Sequence, residues 1–162
     1  MTGSPGPGSI SVEDPRAGDV HALLQRHLRF CREHSPPQDV HALDVSGLLE
    51  TDVTLFGFRA AGGELLGVGA LKRLDRHHAE LKSMHTAAEA RGRGVGWAML
   101  EHLLAAARAQ GFRRVSLETG TMAAFGPARS LYAGAGFVPC GPFSTYTESP
   151  NSTFFTRTLD AD

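Results

Sequence analysis

The chain has 162 residues, of which 41% are hydrophobic and 20% charged, with a formal net charge of −1 at pH 7. This length is typical of one domain with a sizeable core. A near-neutral charge argues against a dedicated nucleic-acid-binding protein, which usually carries a basic excess. The two cysteines, Cys31 and Cys140, have no CxxC partner, which favours free thiols in a reducing compartment.

The N-terminal segment has neither the basic start nor the apolar stretch of a secretory signal. No apolar run approaches the roughly 20 residues that a membrane span needs. We therefore expect a cytoplasmic protein that spans no membrane. Residues 1–8, rich in Gly, Pro and Ser, are predicted to be a flexible N-terminus, and residues 9–162 a single domain.

Hydrophobic periodicity and turn residues predict the secondary structure in chain order. The elements are strand 9–14, helix 18–34, short helix 43–52 capped by Asp44 or Ser46, strands 53–60, 64–74 and 78–86, helix 94–110, strand 113–120, helix 127–136, and strands 137–143 and 152–159. His77 and His78 fall in a turn and are expected to be exposed.

The order of these elements predicts the fold class. Strands 53–60, 64–74 and 78–86 follow one another with short turns and are predicted to form an antiparallel meander. A strand, a crossover helix and another strand imply that 80–86 and 113–119 run parallel. We therefore expect an α+β fold with a mixed, mostly antiparallel twisted sheet and flanking helices.

Residues 91–96, Arg-Gly-Arg-Gly-Val-Gly, stand at the start of helix 94–110. N–H groups at a helix start lack intrahelical partners, and glycines let them converge on a phosphate. Arg91 and Arg93 add cationic donors. A phosphate or pyrophosphate site is one interpretation, and a plain arginine-bearing turn is the other. The stretch lacks the Gly-Lys-Ser/Thr of a P-loop and the glycine spacing of a dinucleotide fingerprint.

Two motifs in this chain resemble those of the Gcn5-related N-acetyltransferases (GNAT). Arg91-x-x-Gly94-x-Gly96 resembles their Arg/Gln-x-x-Gly-x-Gly/Ala signature, and Leu-Tyr-Ala-Gly-Ala-Gly-Phe at 131–137 resembles their second motif. The element order over residues 9–159 is also similar to that fold. Further stretches, including Glu-Leu-Lys-Ser-Met-His-Thr at 80–86, resemble a bacterial branch of largely uncharacterised acetyltransferases.

The resemblance implies an N-acetyltransferase that moves the acetyl group of acetyl-CoA to a primary amine of a small molecule or peptide. In the family the amine attacks directly in a ternary complex. The alternative is a non-catalytic acyl-CoA-binding or sensing module of the same fold. A homodimer is plausible on the same grounds, and no metal is expected.

The resemblance also implies where CoA binds. The parallel strand pair splays apart around the pantetheine arm, and the pyrophosphate lies on the N–H groups of residues 91–97. Phe125 stands where many relatives carry an asparagine that touches CoA, and its ring is expected to pack there instead. The expected CoA contacts are Met84, His85, Thr86, Arg91, Gly92, Arg93, Gly94, Val95, Gly96, Trp97, Thr119, Phe125, Ala128 and Tyr132.

The expected catalytic residues are Tyr132 and Glu80. By the resemblance, Tyr132 protonates the leaving CoA thiolate, with packing on the sheet as the alternative interpretation. A backbone N–H near Met84 is expected to stabilise the oxyanion. Glu80 is the candidate general base, and an ion pair with Lys82 is its alternative role. His85 is a further candidate for titration near neutral pH, with backbone contact to CoA and no part in the chemistry as its alternative.

Acceptor-binding residues vary most in this family, so they are named from their loop positions only. His41, Tyr146 and Asn151 are the polar residues expected to contact the acceptor. Asp39, Asp44 and Glu148 in the same loops are too few to predict an acidic pocket, so the identity of the amine stays open.

Overall fold

The computed structural model describes residues 8–159. It contains one seven-stranded sheet with the strand order β1-β2-β3-β4-β5-β7-β6, flanked by helices. The elements are β1 (Gly8–Val12), α1 (Gly18–His34), α2 (Val45–Leu48), β2 (Val53–Ala60), β3 (Leu65–Arg73), β4 (His78–Thr86), α3 (Val95–Ala109), β5 (Arg114–Gly120), α4 (Gly126–Gly134), β6 (Val138–Cys140) and β7 (Ser152–Thr158).

The predicted fold class is confirmed, because β4–β5 is the parallel pair and the other described pairs are antiparallel. The predicted flexible N-terminus lies outside the described residues except for Gly8, which already pairs with Ala60 in β1. Helix 43–52 is shorter than expected, since α2 is a single turn capped by Asp44, whose carboxylate accepts from the Gly47 N–H.

Two predicted strands are also shorter in the structure. Strand 9–14 ends at Val12, and the Glu13 side chain accepts a hydrogen bond from Arg59 Nε at 2.8 Å. The predicted strand 137–143 is reduced to β6, which lies at the edge of the sheet. Pro142 lacks an N–H and so has no donor for the ladder, which is consistent with this early end.

Helix α3 packs its apolar stripe on the sheet. Its side chains Met99, Leu100 and Leu103 are at most 1% exposed, in one core with Val68 and Leu117. Because this burial fixes the helix, its N-terminus is held close behind the carboxyl end of β4. Across residues 8–159, the helices include none that is both long enough and apolar enough to cross a bilayer.

The parallel strands β4 and β5 separate after three paired positions, the last of which is Glu80 opposite Ser116. Strand β4 carries a bulge just beyond this point: Ser83 has φ 56°, and the register with β3 shifts between Val68 and Ala70. A bulge bends its strand and leaves one residue unpaired. The predicted splayed pair is therefore confirmed, and the bulge accounts for it physically.

Gly69 lies opposite the bulge, and its lack of a side chain permits the packing there. A Cβ at this position would lie 2.7 Å from Met84 Sδ and 2.9 Å from Leu103 Cδ1. We expect Gly69→Ala to reduce the free energy of unfolding by about 1–3 kcal/mol, the usual cost of overpacking, as measured by urea denaturation. The control is Gly62→Ala, where a Cβ has no heavy atom within 4 Å. Equal stability of the two variants would contradict this account.

Candidate active site

A cavity of about 540 Å³ lies where β4 and β5 separate. It is bounded by α1, both strands, the glycine-rich turn before α3, and α4. Arg93 and Trp97 do not line it, and both are exposed, with Trp97 at 42%. The other expected CoA contacts all line the cavity: Met84, His85, Thr86, Arg91, Gly92, Gly94, Val95, Gly96, Thr119, Phe125, Ala128 and Tyr132.

The glycine-rich turn presents free backbone donors to this cavity. Gly92 and Gly94 have φ of 77° and 79°, in the left-handed region that favours glycine. The first hydrogen bond of α3 runs from the Ala98 N–H to the Gly94 carbonyl at 3.0 Å. The N–H groups of residues 95–97 therefore have no helical partner, and no side chain caps them. This arrangement suits an anion.

Gly96 lets α3 approach α4. A Cβ on Gly96 would lie 3.3 Å from Leu131 Cδ2 and 3.8 Å from Thr86 Oγ1, so a larger side chain would push the two helices apart. Phe125, at the start of α4, packs edge-on against Phe30 of α1, with ring centroids 5.3 Å apart. Both rings line the cavity, so a phenyl ring does pack at the position that the sequence singled out.

Tyr132 lies on α4 with its side chain almost wholly buried, at 6% exposure. Its ring packs edge-on against Phe137 at 5.9 Å. Burial raises the pKa of the phenol above its ordinary value, and the nearby Glu118 carboxylate adds to the effect. The hydroxyl therefore keeps its proton at neutral pH. Tyr132 therefore both packs in the hydrophobic core and lines the cavity.

Glu80 is held in a buried network with Lys82 and Tyr146. Glu80 is 3% exposed, and its Oε2 accepts from Lys82 Nζ at 3.1 Å and from the Tyr146 hydroxyl. Lys82 Nζ also donates to the Tyr146 oxygen at 2.9 Å. The ion pair given as the alternative role of Glu80 is thus present. Whether Glu80 also acts as a base stays a prediction.

Two of the three expected acceptor residues meet at this network: Tyr146 belongs to it without lining the cavity, and His41 packs on Tyr146. His41 lines the cavity, and its ring packs edge-on against Tyr146 at 5.0 Å. Burial, and then the charge of Lys82, lower the His41 pKa. Asn151 does not line the cavity but donates to Asp39 Oδ2 at 3.1 Å, and Asp39 does line it. Asp44 and Glu148, the other loop carboxylates, do not line it.

Glu118 is a cavity residue that sequence reasoning missed. It lies on β5 just past the point where pairing with β4 ends. Burial raises the pKa of Glu118 to about 7. The Ser152 hydroxyl and Lys82 lower it, and Glu80 and Asp39 raise it, although no hydrogen bond of ordinary geometry joins Ser152 to Glu118. The available signal was an acidic residue in the middle of an otherwise buried strand.

Two histidine expectations are wrong. His85 Nδ1 lies 3.1 Å from His27 Nδ1, and burial lowers the pKa of His85 to about 4 and that of His27 to about 3. His85 therefore does not titrate near neutral pH. His78 is not an exposed turn residue either, because it begins β4 half-buried with Nε2 at 2.7 Å from Ser116 Oγ. His77 is exposed, as expected. Within residues 8–159 no cluster of three His, Cys, Asp or Glu side chains suits a metal ion.

Comparison with known proteins gives consistent matches over most of the chain. Residues 19–137 match the model of the acetyltransferase (GNAT) family. The chain is 43% identical over 150 residues to the uncharacterised N-acetyltransferase YsnE of Bacillus subtilis, covering 93% of this chain and 99% of the relative. It is 42% identical over 151 residues to the uncharacterised N-acetyltransferase YedL of Escherichia coli, covering 93% and 94%.

Solved structures give the same fold. A GNAT family acetyltransferase from Elizabethkingia anophelis, with acetyl-CoA bound, matches at a TM-score of 0.70 and 16% identity, covering 94% of this chain and 98% of the other. At that identity the likeness concerns the fold alone. The expected acyltransferase fold is therefore confirmed.

Proposed function

The chain belongs to the acetyltransferase (GNAT) family, and on that premise we propose that it transfers the acetyl group of acetyl-CoA to a primary amine of a small molecule or peptide. The amine attacks the thioester directly while both substrates are bound. The observation that carries this proposal is the single cavity that runs from the glycine-rich turn to Tyr132 and to the corner of Glu80, Lys82 and Glu118. Donor and acceptor meet in the gap between β4 and β5.

The donor lies along the glycine-rich turn and β4. The pyrophosphate accepts from the free N–H groups of residues 95–97, with the Arg91 guanidinium beside it. The pantetheine amides pair with the backbone of Met84, His85 and Thr86, as an added strand would. The strand pairing supports this placement of the pantetheine arm. Beyond Glu80, β4 no longer pairs with β5, so the edge of β4 that faces β5 is free to pair with the amides.

The chemistry needs an oxyanion donor and a proton donor. Attack of the amine on the thioester carbon forms a tetrahedral adduct, and a backbone N–H of the bulge near Met84 stabilises its oxygen. The carbon–sulfur bond then breaks, and the CoA thiolate takes the proton of the Tyr132 hydroxyl. The place of Tyr132 in the cavity wall supports this assignment, and its phenol is protonated at neutral pH and so has a proton to give.

The proposal is tested by measuring thiol release from acetyl-CoA over a panel of alkylamines, amino acids and peptides. We expect release that depends on both acetyl-CoA and one class of amine, with an acetylated amine detected by mass spectrometry. Acetyl-CoA binding without transfer to any member of the panel would contradict the enzyme and favour the sensing module. Absence of acetyl-CoA binding would contradict both.

The glycine-rich turn gives a separate prediction for donor binding. Gly94→Val forces a β-branched residue to φ 79°, a strain of about 1–3 kcal/mol, which displaces the N–H groups of the turn. We expect acetyl-CoA to bind about tenfold more weakly or worse by calorimetry. Gly111→Val is the matched control, because it imposes φ 87° just past the other end of α3. An unchanged affinity in Gly94→Val would remove the turn from the donor site.

A further inference from the structure

We propose that Glu118 is the group that accepts the proton of the incoming amine. This inference rests on the proposed acetyl transfer and adds to it the residue that makes the amine nucleophilic. Most amines are protonated at neutral pH, and an ammonium group has no lone pair with which to attack. A proton acceptor must therefore lie beside the gap where the amine meets the thioester.

The strand register places Glu118 at that gap. Ser116 is opposite Glu80 on β4 and opposite Thr156 on β7. Alternate residues of a strand point to the same face, so Glu118 lies on the Glu80 face of the sheet. It is two residues further along β5, where β4 has already turned away. Its carboxylate therefore borders the gap and lines the cavity.

Glu80 is less available for this role. Its Oε2 already accepts from Lys82 and Tyr146, and the side chain is 4% exposed. The described hydrogen bonds of ordinary geometry include none to the Glu118 carboxylate. A base that is held by two donors gives up more on protonation than one that is free. Glu118 is a cavity carboxylate that no cation or phenol holds by a described hydrogen bond; the Ser152 hydroxyl lies near it without ordinary hydrogen-bond geometry, and Glu118 is half-buried rather than enclosed.

The charged and titratable groups around Glu118 come from several elements of the fold. Ser152 and Lys82 lower its pKa, and Glu80 and Asp39 raise it. With burial as the largest cause, its pKa is raised to about 7, so the carboxylate both takes a proton and returns it near neutral pH. Tyr132, Tyr146 and Cys31 also lie near enough for the Glu118 charge to raise their pKa values.

Glu118 and Tyr132 thus have opposite roles in one cavity. The Glu118 charge helps to keep Tyr132 protonated. When their surroundings separate the pKa values of two groups in one site, the group with the lower pKa serves as the base and the other as the acid. The ammonium gives one proton to the Glu118 carboxylate, which passes it to water in the cavity. The free amine forms the carbon–nitrogen bond, the thiolate leaves with the Tyr132 proton, and the second nitrogen proton restores Tyr132.

The test is the pH dependence of kcat/KM, with the amine of the panel that the wild type acetylates fastest. The wild-type rate should rise with pH through about 7, as Glu118 ionises, below the range near 10 in which an alkylamine itself titrates. Glu118→Gln should lower the rate by about 10²–10⁴ and abolish this rise. Acetyl-CoA binding should persist and show that the variant folds.

Two further variants separate base chemistry from structure. Glu80→Gln removes a charge that raises the Glu118 pKa. In this variant kcat/KM should still rise with pH, but the rise should occur at lower pH than in the wild type. Glu118→Ala should regain part of its rate when formate is added as a small base, which a purely structural residue would not do. The inference would be overturned if kcat/KM still rose with pH through about 7 in Glu118→Gln, or if this rise were lost in Glu80→Gln alone. Wild-type failure with every amine would instead remove the proposed function on which it rests.

Discussion

Replacing Tyr132 by phenylalanine should lower kcat by about 10²–10⁴, the usual contribution of a positioned general acid. Only one hydroxyl is removed, and the ring keeps its packing against Phe137. We therefore expect the affinity for acetyl-CoA and the urea midpoint to stay as in the wild type. Because burial raises the pKa of Tyr132 above its ordinary value of about 10, the wild-type rate should show no loss from this group as pH rises toward 10.

The control for this variant is Tyr146→Phe, because Tyr146 is the other tyrosine of the chain. Its hydroxyl joins Glu80 to Lys82, so its removal should reduce the free energy of unfolding by about 1–3 kcal/mol. Tyr132→Phe should change kcat without this loss of stability. If Tyr132→Phe transfers acetyl groups at the wild-type rate, Tyr132 is a packing residue and another group protonates the thiolate.

Replacing Lys82 by methionine should reduce the free energy of unfolding by about 3–5 kcal/mol, the cost of leaving a buried charge without its partner. The side chains of Lys82 and Glu80 are 8% and 4% exposed, so water cannot replace the lost ion pair. Methionine has a similar volume and keeps the packing of the aliphatic stem. Urea denaturation at neutral pH measures the loss.

The double variant Glu80→Gln with Lys82→Met tests the cause of that loss. It removes both charges and keeps an oxygen at position 80 to accept from the Tyr146 hydroxyl. We expect it to be more stable than Lys82→Met alone, because no unpaired charge remains. Losses that simply add in the double variant would show that the two side chains contribute independently, and that the ion pair is not the reason for the effect.

The donor side of the candidate site was predictable from local sequence. The glycines at 92, 94 and 96 and the following apolar stripe define a helix start with free N–H groups, whatever the rest of the chain does. Tyr132 and Phe125 were reached through the second motif. Arg93 and Trp97 were named with their neighbours in sequence but do not line the cavity. Trp97 is on α3, where successive residues point in different directions, and Arg93 is exposed in the turn before it.

The acceptor side was only partly predictable. His41, Tyr146 and Asn151 were named from loop positions. His41 and Tyr146 meet at the Glu80 network, whereas Asn151 contacts Asp39. The expected titration of His85 was wrong because burial, in part under His27 of α1, which lies 58 positions earlier in the chain, lowers its pKa. Glu118 was missed because its importance depends on where β4 and β5 part, which depends on the bulge at Ser83.

The sequence by itself determined the α+β class, the order of the elements and the helix-start turn with its free N–H donors, because periodicity, turn residues and helix-start donors are local properties of the chain. The tertiary structure alone decided which carboxylates share the cavity and which histidines lose their charge. Burial and the charges of residues distant in sequence set those pKa values, and both exist only once the sheet and α1 have packed together.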